Sequence, residues 1–418
     1  MRLSDLCIRY GLILLTICSL LTSSGCATPP RISAVPPEYQ NDVRILGMPG
    51  IRFVPTGAMS QELKDEVFDS FSRESEHLSL SSSSGRVPTA HFLAISGGGD
   101  NGAFATGLLN GWTAAGTRPE FKLVTGISTG ALIAPFAFLG PKYDHSLKEF
   151  YTTSSPQDIL KQRNLLAVFL DDAMADNKPL WNQVSKQVDE GFLREIAVEY
   201  EKGRMLLLAT TNLDRGVPVI WNMGKIAASG HKDALDLFRK IMIASAAIPG
   251  FFPPEMIDVE ANGKPYQEMH VDGGASAQTF LYPASVRLRQ LSDEVGVKRK
   301  RKAYIIRNAR LDTDWAEIER RTLKITGRAI ASLLQSQGIG DLYRIYLQTE
   351  VDKVDFNLAF IPPTFKAEHK EEFDTEYMRA LYKFGYDMAA KGYPWMKKPP
   401  GFSKEYLELM KPSVKEPD

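Results

Sequence analysis

The stretch FKLVTGISTGALIAPFAFL, Phe121 to Leu139, decides the fold class. Phe121 to Thr125 is a short apolar run of strand length, and Ala131 to Leu139 reads as a helix. Between them lies Gly126-Ile-Ser128-Thr-Gly130, a GxSxG segment. A strand that passes into a helix over so few residues must turn sharply. The serine at the apex takes a strained backbone conformation and its neighbours crowd, so glycine is needed on either side. Such a turn sets the Ser128 hydroxyl at the carboxyl end of a strand, where α/β folds bind ligands. The helix opening at Thr129 adds a positive dipole end that favours developing negative charge. Alone, the pattern also reads as a tight turn; in this context it points to a nucleophile.

The same unit occurs once before. His91 to Ile95 (HFLAI) is an apolar strand, Gly97-Gly-Gly-Asp-Asn-Gly102 follows, and Ala103 to Trp112 is helical. As G-x-G-x-x-G this loop fits a dinucleotide-binding fingerprint. That fingerprint also wants an acidic residue about 20 positions on, at the end of the next strand. The next strand ends in Gly126-Ile-Ser128, so the nucleotide reading loses. Under acyl transfer, Gly97, Gly98 and Gly99 let backbone N–H groups converge near the positive end of the helix opening at Gly102. That makes an oxyanion hole, worth ~3–4 kcal/mol per good donor.

Further strands are expected at Met205 to Ala209, Val217 to Trp221, Met269 to Asp272 and Ala303 to Ile306, with a helix from Ala234 to Ala247. Strands alternating with helices predict an α/β layered fold with a mostly parallel central sheet. After Asn308 the pattern turns helical, at Trp315 to Gln335, Ile339 to Thr349 and Glu372 to Lys391, around one strand at Val354 to Phe360. The third motif, Val271-Asp272-Gly273-Gly274, ends a strand in a carboxylate. On its own it reads as readily as a turn.

Taken in order, the GGG-x-x-G loop, GxSxG and Asp-Gly-Gly resemble the patatin-like phospholipases. Ala244 to Pro254 (ASAAIPGFFPP) resembles the stretch before that family's catalytic aspartate, and Asn212-Leu-Asp-Arg-Gly-Val-Pro resembles its central hairpin. The resemblance covers about Ala90 to Ser285. It implies a three-layer patatin-like fold with a helical C-terminal extension, and a lipid acyl hydrolase working through a Ser–Asp dyad and an acyl-enzyme. Carried over, Ser128 is the nucleophile and Asp272 its base. Gly97, Gly98, Gly99 and Gly102 form the oxyanion hole, with Gly126, Gly130, Gly273 and Gly274 as motif glycines. The family usually has Arg or Lys before the last glycine of the first loop; here Asn101 stands there. Two rival readings are an esterase or thioesterase for soluble acyl esters and a non-catalytic lipid-binding envelope lipoprotein.

A dyad needs no histidine. His369 lies in the charged run Lys366 to Glu372, which reads as solvated surface. His270 shares a strand face with Asp272 but lies one step deeper. Apolar candidates for an acyl-chain site are Leu132, Ile133, Phe136, Phe251 and Phe252.

Lys+Arg and Asp+Glu balance at 50 each, which argues against a nucleic-acid partner. The basic run Lys298 to Lys302 reads as a solvated loop. The six histidines lack ligand spacing and all three cysteines lie in the first 26 residues, so neither metal nor cofactor is called for. Residues 1–25, with Arg2, Arg9 and the apolar Tyr10 to Leu21, are too short to span a bilayer, which takes ~20 apolar residues, and read as a signal peptide. Cys26 after Ser23-Ser-Gly resembles a lipoprotein's acylated cysteine, although Ser23 stands where leucine is usual. The expected organisation is a signal peptide (1–25), a Pro/Ser-rich tether with one helix (26–89), a catalytic domain (90–310) and a mainly helical extension (311–418). The expected partners are an acyl lipid substrate and a membrane surface reached through the lipidated N-terminus. No protein partner is indicated. The expected location is the cell envelope, at the outer membrane if the source is a double-membrane bacterium.

Overall fold

Apolar runs that end in glycine make strands that stop abruptly, and several of them side by side set all their loops at one edge. The computed structural model describes residues 31–55, 57, 59–78, 87–162, 172–312 and 315–402. The leader, Cys26 and the serine run at 81–84 lie outside the described residues. The strands are β1 (Arg52–Phe53), β2 (Ala90–Ile95), β3 (Leu123–Gly126), β4 (Lys161–Gln162), β5 (Ala175–Asp176), β6 (Met205–Asn212), β7 (Val217–Asn222), β8 (Glu255–Ala261), β9 (Lys264–Asp272), β10 (Arg301–Arg307) and β11 (Asp355–Phe360). Nine of them form one sheet in the order β1-β7-β6-β3-β2-β10-β11, with β9 on β6 and β8 on β9. The five central strands, β6-β3-β2-β10-β11, are all parallel. β4 and β5 pair separately.

Twelve α-helices are found among the described residues, and the larger ones cover both sheet faces. They are α1 (Gln61–His77), α2 (Gly102–Ala114), α3 (Thr129–Leu139), α4 (Asp144–Thr153), α5 (Pro156–Ile159), α6 (Lys178–Gln187), α7 (Glu190–Glu201), α8 (Met223–Ala228), α9 (Ala234–Ser245), α10 (Leu288–Glu294), α11 (Thr322–Asp352) and α12 (Thr375–Ala390). On one face Phe104, Ile133, Phe238 and Leu381, from α2, α3, α9 and α12, pack with Leu93 and Val124 of the sheet. On the other, Leu63, Leu291 and Leu342, from α1, α10 and α11, pack with Phe92 and Ile305. The protein is thus a three-layer α/β fold with a mostly parallel central sheet. The C-terminal segment is built into it, since β11 completes the parallel core and α12 packs beside α2.

Three expectations need correction. The proline-rich stretch does not stand off the domain over residues 31–55. Val35, Ile45 and Ile51 are buried in the core, β1 pairs with β7, and Arg31 makes two 2.9 Å bonds to Asp214. The apolar residues spaced between the prolines hold it down. The basic run is not wholly solvated, because Arg299 forks onto Glu74 and Arg301 is buried at the start of β10. Finally, the helix expected from Trp315 starts only at Thr322 and then runs unbroken past Gly338. The gap expected between Gln335 and Ile339 is helical, and at Gly338 a Cβ would come within 2.0 Å of the buried Arg307 guanidinium, so glycine lets that side chain lie against the helix.

Candidate active site

Sheet register brings the two motifs together. β3 ends at Gly126 beside Leu208 of β6, and β9 arrives from the opposite direction to end at Asp272 beside Thr210. Because β7 occupies the other edge of β6, these two strand ends meet head to head along one edge. Ser128, two residues past Gly126, therefore lands next to Asp272.

Ser128 holds φ 55° and ψ −126°, a strained conformation for any residue but glycine. A Cβ on Gly126 would come within 2.3 Å of the Gly130 carbonyl, and one on Gly130 within 2.2 Å of the Ile95 carbonyl. Only glycine fits either place. The strain is held by Ser245, whose hydroxyl accepts from the Ser128 N–H at 3.0 Å and donates to the Ala209 carbonyl at 2.6 Å. Ser245 escapes motif reading; its signal is the small-residue run Ala244 to Ala247, which lets α9 end against the elbow.

Asp272 is buried, its carboxyl accepts from the Gly274 N–H at 2.7 Å, and the Ser128 side chain lies close enough beside it to favour its charged form. Burial pushes its pKa up to about 7, and these two groups only partly offset this. A carboxylate so placed can take a proton from the serine hydroxyl, and a pKa near neutrality makes it a stronger base than a solvated aspartate. No histidine is bonded to either side chain among the described residues. His270 is fully buried and hydrogen-bonded to Thr210 Oγ1 at 2.8 Å and Glu268 at 3.1 Å, with its ring against Trp221. Burial holds its pKa below the ordinary value, although Glu268 opposes this.

The glycine loop abuts the nucleophile, since a Cβ on Gly97 would lie 3.2 Å from Ser128 Cβ. Its four glycines do not act alike. The Gly97 N–H is taken by the Gln278 carbonyl at 3.0 Å, and that of Gly102 closes the turn onto Asp100 and Gly99. The expectation that Gly97 and Gly102 donate to an oxyanion is thereby corrected. They serve by lacking side chains, Gly102 beside Thr129 and Tyr151. The Gly98 and Gly99 N–H groups have no acceptor among the described residues, nor has that of Thr129 at the start of α3. Gly98 and Gly99 reach this arrangement at φ 151° and 57°. Asn308 pins the loop's base: its side chain accepts from Ala105 N–H and donates to the Ser96 carbonyl.

The two polar residues of the loop are held by the distant C-terminal segment. Asp100 accepts from His369 Nε2 at 2.7 Å and from the Phe373 N–H at 3.0 Å. The Tyr377 hydroxyl donates to Asn101 Oδ1 at 2.6 Å. His369 is thus not free surface, as its charged surroundings suggest, and its pKa is raised by the bond to Asp100. No motif reveals a contact between residues so far apart in the chain.

Of the acyl-chain candidates, Leu132 and Phe136 line a narrow slot with Phe150, Tyr151, Val184 and Met242, holding about 20 Å³ of water-accessible space. Ile133 and Phe252 are instead core residues, and Phe251 stacks edge-on against Phe252. A larger apolar cavity of about 60 Å³, bordered by Leu63, Phe92, Leu123 and Tyr282, lies near the amino ends of β2 and β3, away from Ser128. Among the described residues no three His, Cys, Asp or Glu side chains are grouped to hold a metal ion.

A family model described as patatin-like phospholipase matches residues 93–285, from within β2 to just beyond the Asp272 turn. Among solved structures the chain is similar to VipD from Legionella pneumophila, at 12% identity and a TM-score of 0.37, over 72% of this chain and 66% of that one. The chain therefore spans just under two thirds of that neighbour's length. No curated protein matches the chain.

Proposed function

We propose that this chain, whose residues 93–285 match a patatin-like phospholipase family model, hydrolyses ester bonds of phospholipids or related acyl lipids through Ser128 and Asp272. Members of the family are lipid hydrolases. The observation that carries the reading is the buried Asp272 carboxyl lying beside Ser128, which a strained elbow holds at φ 55°.

Ser128 Oγ attacks the ester carbonyl carbon while its proton passes to Asp272. The carbonyl oxygen gains negative charge and faces the free N–H groups of Gly98 and Gly99, with Thr129 N–H and the positive end of α3 nearby. Collapse breaks the bond to the leaving alcohol, which takes the proton from Asp272. A water molecule then gives its proton to Asp272 as its oxygen attacks the acyl-enzyme, and the proton returns to Ser128 as the acid leaves. Asn101 puts no cation in the loop; His369, bonded to Asp100, supplies a counter-charge there when protonated. The test is hydrolysis of a lipid panel by wild-type and Ser128→Ala protein. Release of fatty acid by wild type alone supports the reading, and equal background release refutes it.

A second reading, turnover of short soluble acyl esters, is favoured by the narrowness of the slot beside Leu132 and Phe136. Acetate esters turned over as fast as long-chain ones would support it. We also propose that the protein is exported and anchored through an acylated Cys26, as the leader pattern suggests. A fatty-acid analogue that labels wild type but not Cys26→Ala tests this.

A further inference from the structure

Among the described residues, no protein layer lies beneath the first half of α11. From Thr322 to Leu334 no described side chain is buried; contact with the body begins at Gln335, which accepts from Arg307 and donates to the Arg310 carbonyl. The projecting arm, residues 322–334, is about 20 Å long at 1.5 Å per residue. Its exposed residues are not those of a solvated helix. Leu333 is 69% exposed, Ile325 53%, Ile330 50% and Leu334 36%. At about 100° per residue these four lie within one half of the circumference, and Lys324 and Arg328 lie on the other. Arg320 and Arg321 stand at the start of the arm, with Arg321 bonded to Glu319, and no acidic residue follows until Asp341. Trp315, just ahead, is 85% exposed.

We propose that this arm docks in the plane of an anionic lipid bilayer, with Ile325, Ile330, Leu333 and Leu334 among the acyl chains and the cations among the headgroups. An apolar face opposite a Lys/Arg face is the pattern of helices that lie in a membrane interface. The positive charge selects an anionic surface and opposes self-association through the same arm. No described helix is long and apolar enough to cross a membrane, so the arm lies on the surface. It also leaves the body beside the candidate site. At its base Gln337 accepts from Gln278 Nε2, which also donates to the Gly274 carbonyl, while the Gln278 carbonyl holds the Gly97 N–H. Docking the arm brings the Ser128 mouth towards the bilayer. Only this orientation rests on the proposed lipid hydrolysis; binding does not.

Full-length protein carrying Ser128→Ala and Cys26→Ala is sedimented with phosphatidylcholine vesicles with or without phosphatidylserine. Arg320→Glu with Lys324→Glu lowers partitioning onto the anionic vesicles by about 30-fold or more. Leu333→Glu lowers it by about tenfold or more, while Val198→Glu, an exposed apolar site elsewhere, leaves it unchanged. Binding also shifts tryptophan emission to the blue, and Trp315→Phe removes that shift. Arg320, Lys324, Leu333, Val198 and Trp315 are exposed, so these substitutions leave folding intact, and circular dichroism checks it. Equal partitioning of all variants overturns the proposal. So does a dimer that these substitutions dissociate while vesicle binding stays unchanged, which would make a second copy the occupant. Vesicle binding without lipid hydrolysis by the active protein would sink the proposed function and leave the docking arm standing.

Discussion

Asp100 and Asp272 both sit in turns at the carboxyl edge of the sheet, and they are 3% and 4% exposed. Their partners differ. Asp100 faces His369 Nε2 and the Phe373 N–H, so its charge is matched by a partner able to carry the opposite sign. Among the described residues no cation lies beside Asp272, only the Ser128 side chain and one backbone N–H. Burial without a counter-charge lifts Asp272 towards neutrality, whereas Asp100 instead lifts the pKa of His369. Equal burial thus leaves one carboxyl poised near neutrality, suited to the base we propose, and makes the other an anchor for the C-terminal segment. The contrast locates chemistry by what a buried carboxylate lacks.

The contrast is sharpest under substitution of the base. Asp272→Asn keeps the shape and loses the proton acceptor, so kcat/KM falls on the order of 10⁴-fold. Ser128→Ala should fall at least as far. Steady-state kinetics with a chromogenic acyl ester reads both, and a loss under tenfold in Asp272→Asn would remove Asp272 from the chemistry.

Next in size is the donor loop. Gly98→Ala puts a Cβ within 2.2 Å of the Asn308 carbonyl and should cost about 10²- to 10³-fold in kcat. A Gly98→Ala enzyme of wild-type rate would move the oxyanion donors elsewhere.

The raised pKa also has a stability consequence. Asp272 is more easily ionised unfolded than folded, so its contribution is full below the unfolded pKa and is lost as pH rises through about 7. Asp272→Asn should therefore be more stable than wild type at pH 8, by an amount on the order of a few kcal/mol, and the gap should shrink towards pH 4. Denaturant melts at both pH values check this. Activity runs the other way, rising with pH through about 7 as the base form fills.

The smallest effects belong to the histidines. His369→Gln breaks a half-exposed pair and should cost no more than about fivefold. Its pairing is present while His369 is protonated and is lost as pH rises through its raised pKa, so wild type and variant should converge in alkali. Glu372, Asp374 and Tyr377 also face this histidine, and the two carboxylates hold its proton on further. His270→Gln should leave most activity in folded protein.

Legibility in the sequence followed the range of the forces involved. β2, β3, β10 and the elbow are visible because each is a short apolar run ended by glycine or a polar turn, a pattern set by neighbours along the chain. β8 and the outer half of β9 are not. Lys264, Pro265, Gln267 and Glu268 look like loop, and they form a strand because Arg52 and His270 pair with Glu268 and β8 lies alongside. α4, α6 and α7 escape notice because their buried stripes, such as Leu180 with Val184 and Phe192 with Ile196, are thin among charges. In the site, Ser128 and Asp272 stand at local motifs. The loss of the Gly97 N–H to Gln278 and the tie between Asp100 and His369 are long-range contacts that no spacing encodes.

The central claim is that Ser128 is activated by Asp272 with no histidine taking part, and covalent labelling tests it most directly. Intact-mass measurement after treatment with a fluorophosphonate probe should show one adduct on wild type, His270→Gln and His369→Gln. It should show none on Ser128→Ala and only slow labelling of Asp272→Asn. An adduct missing from either histidine variant, with its fold intact by circular dichroism, would contradict the dyad and require a triad.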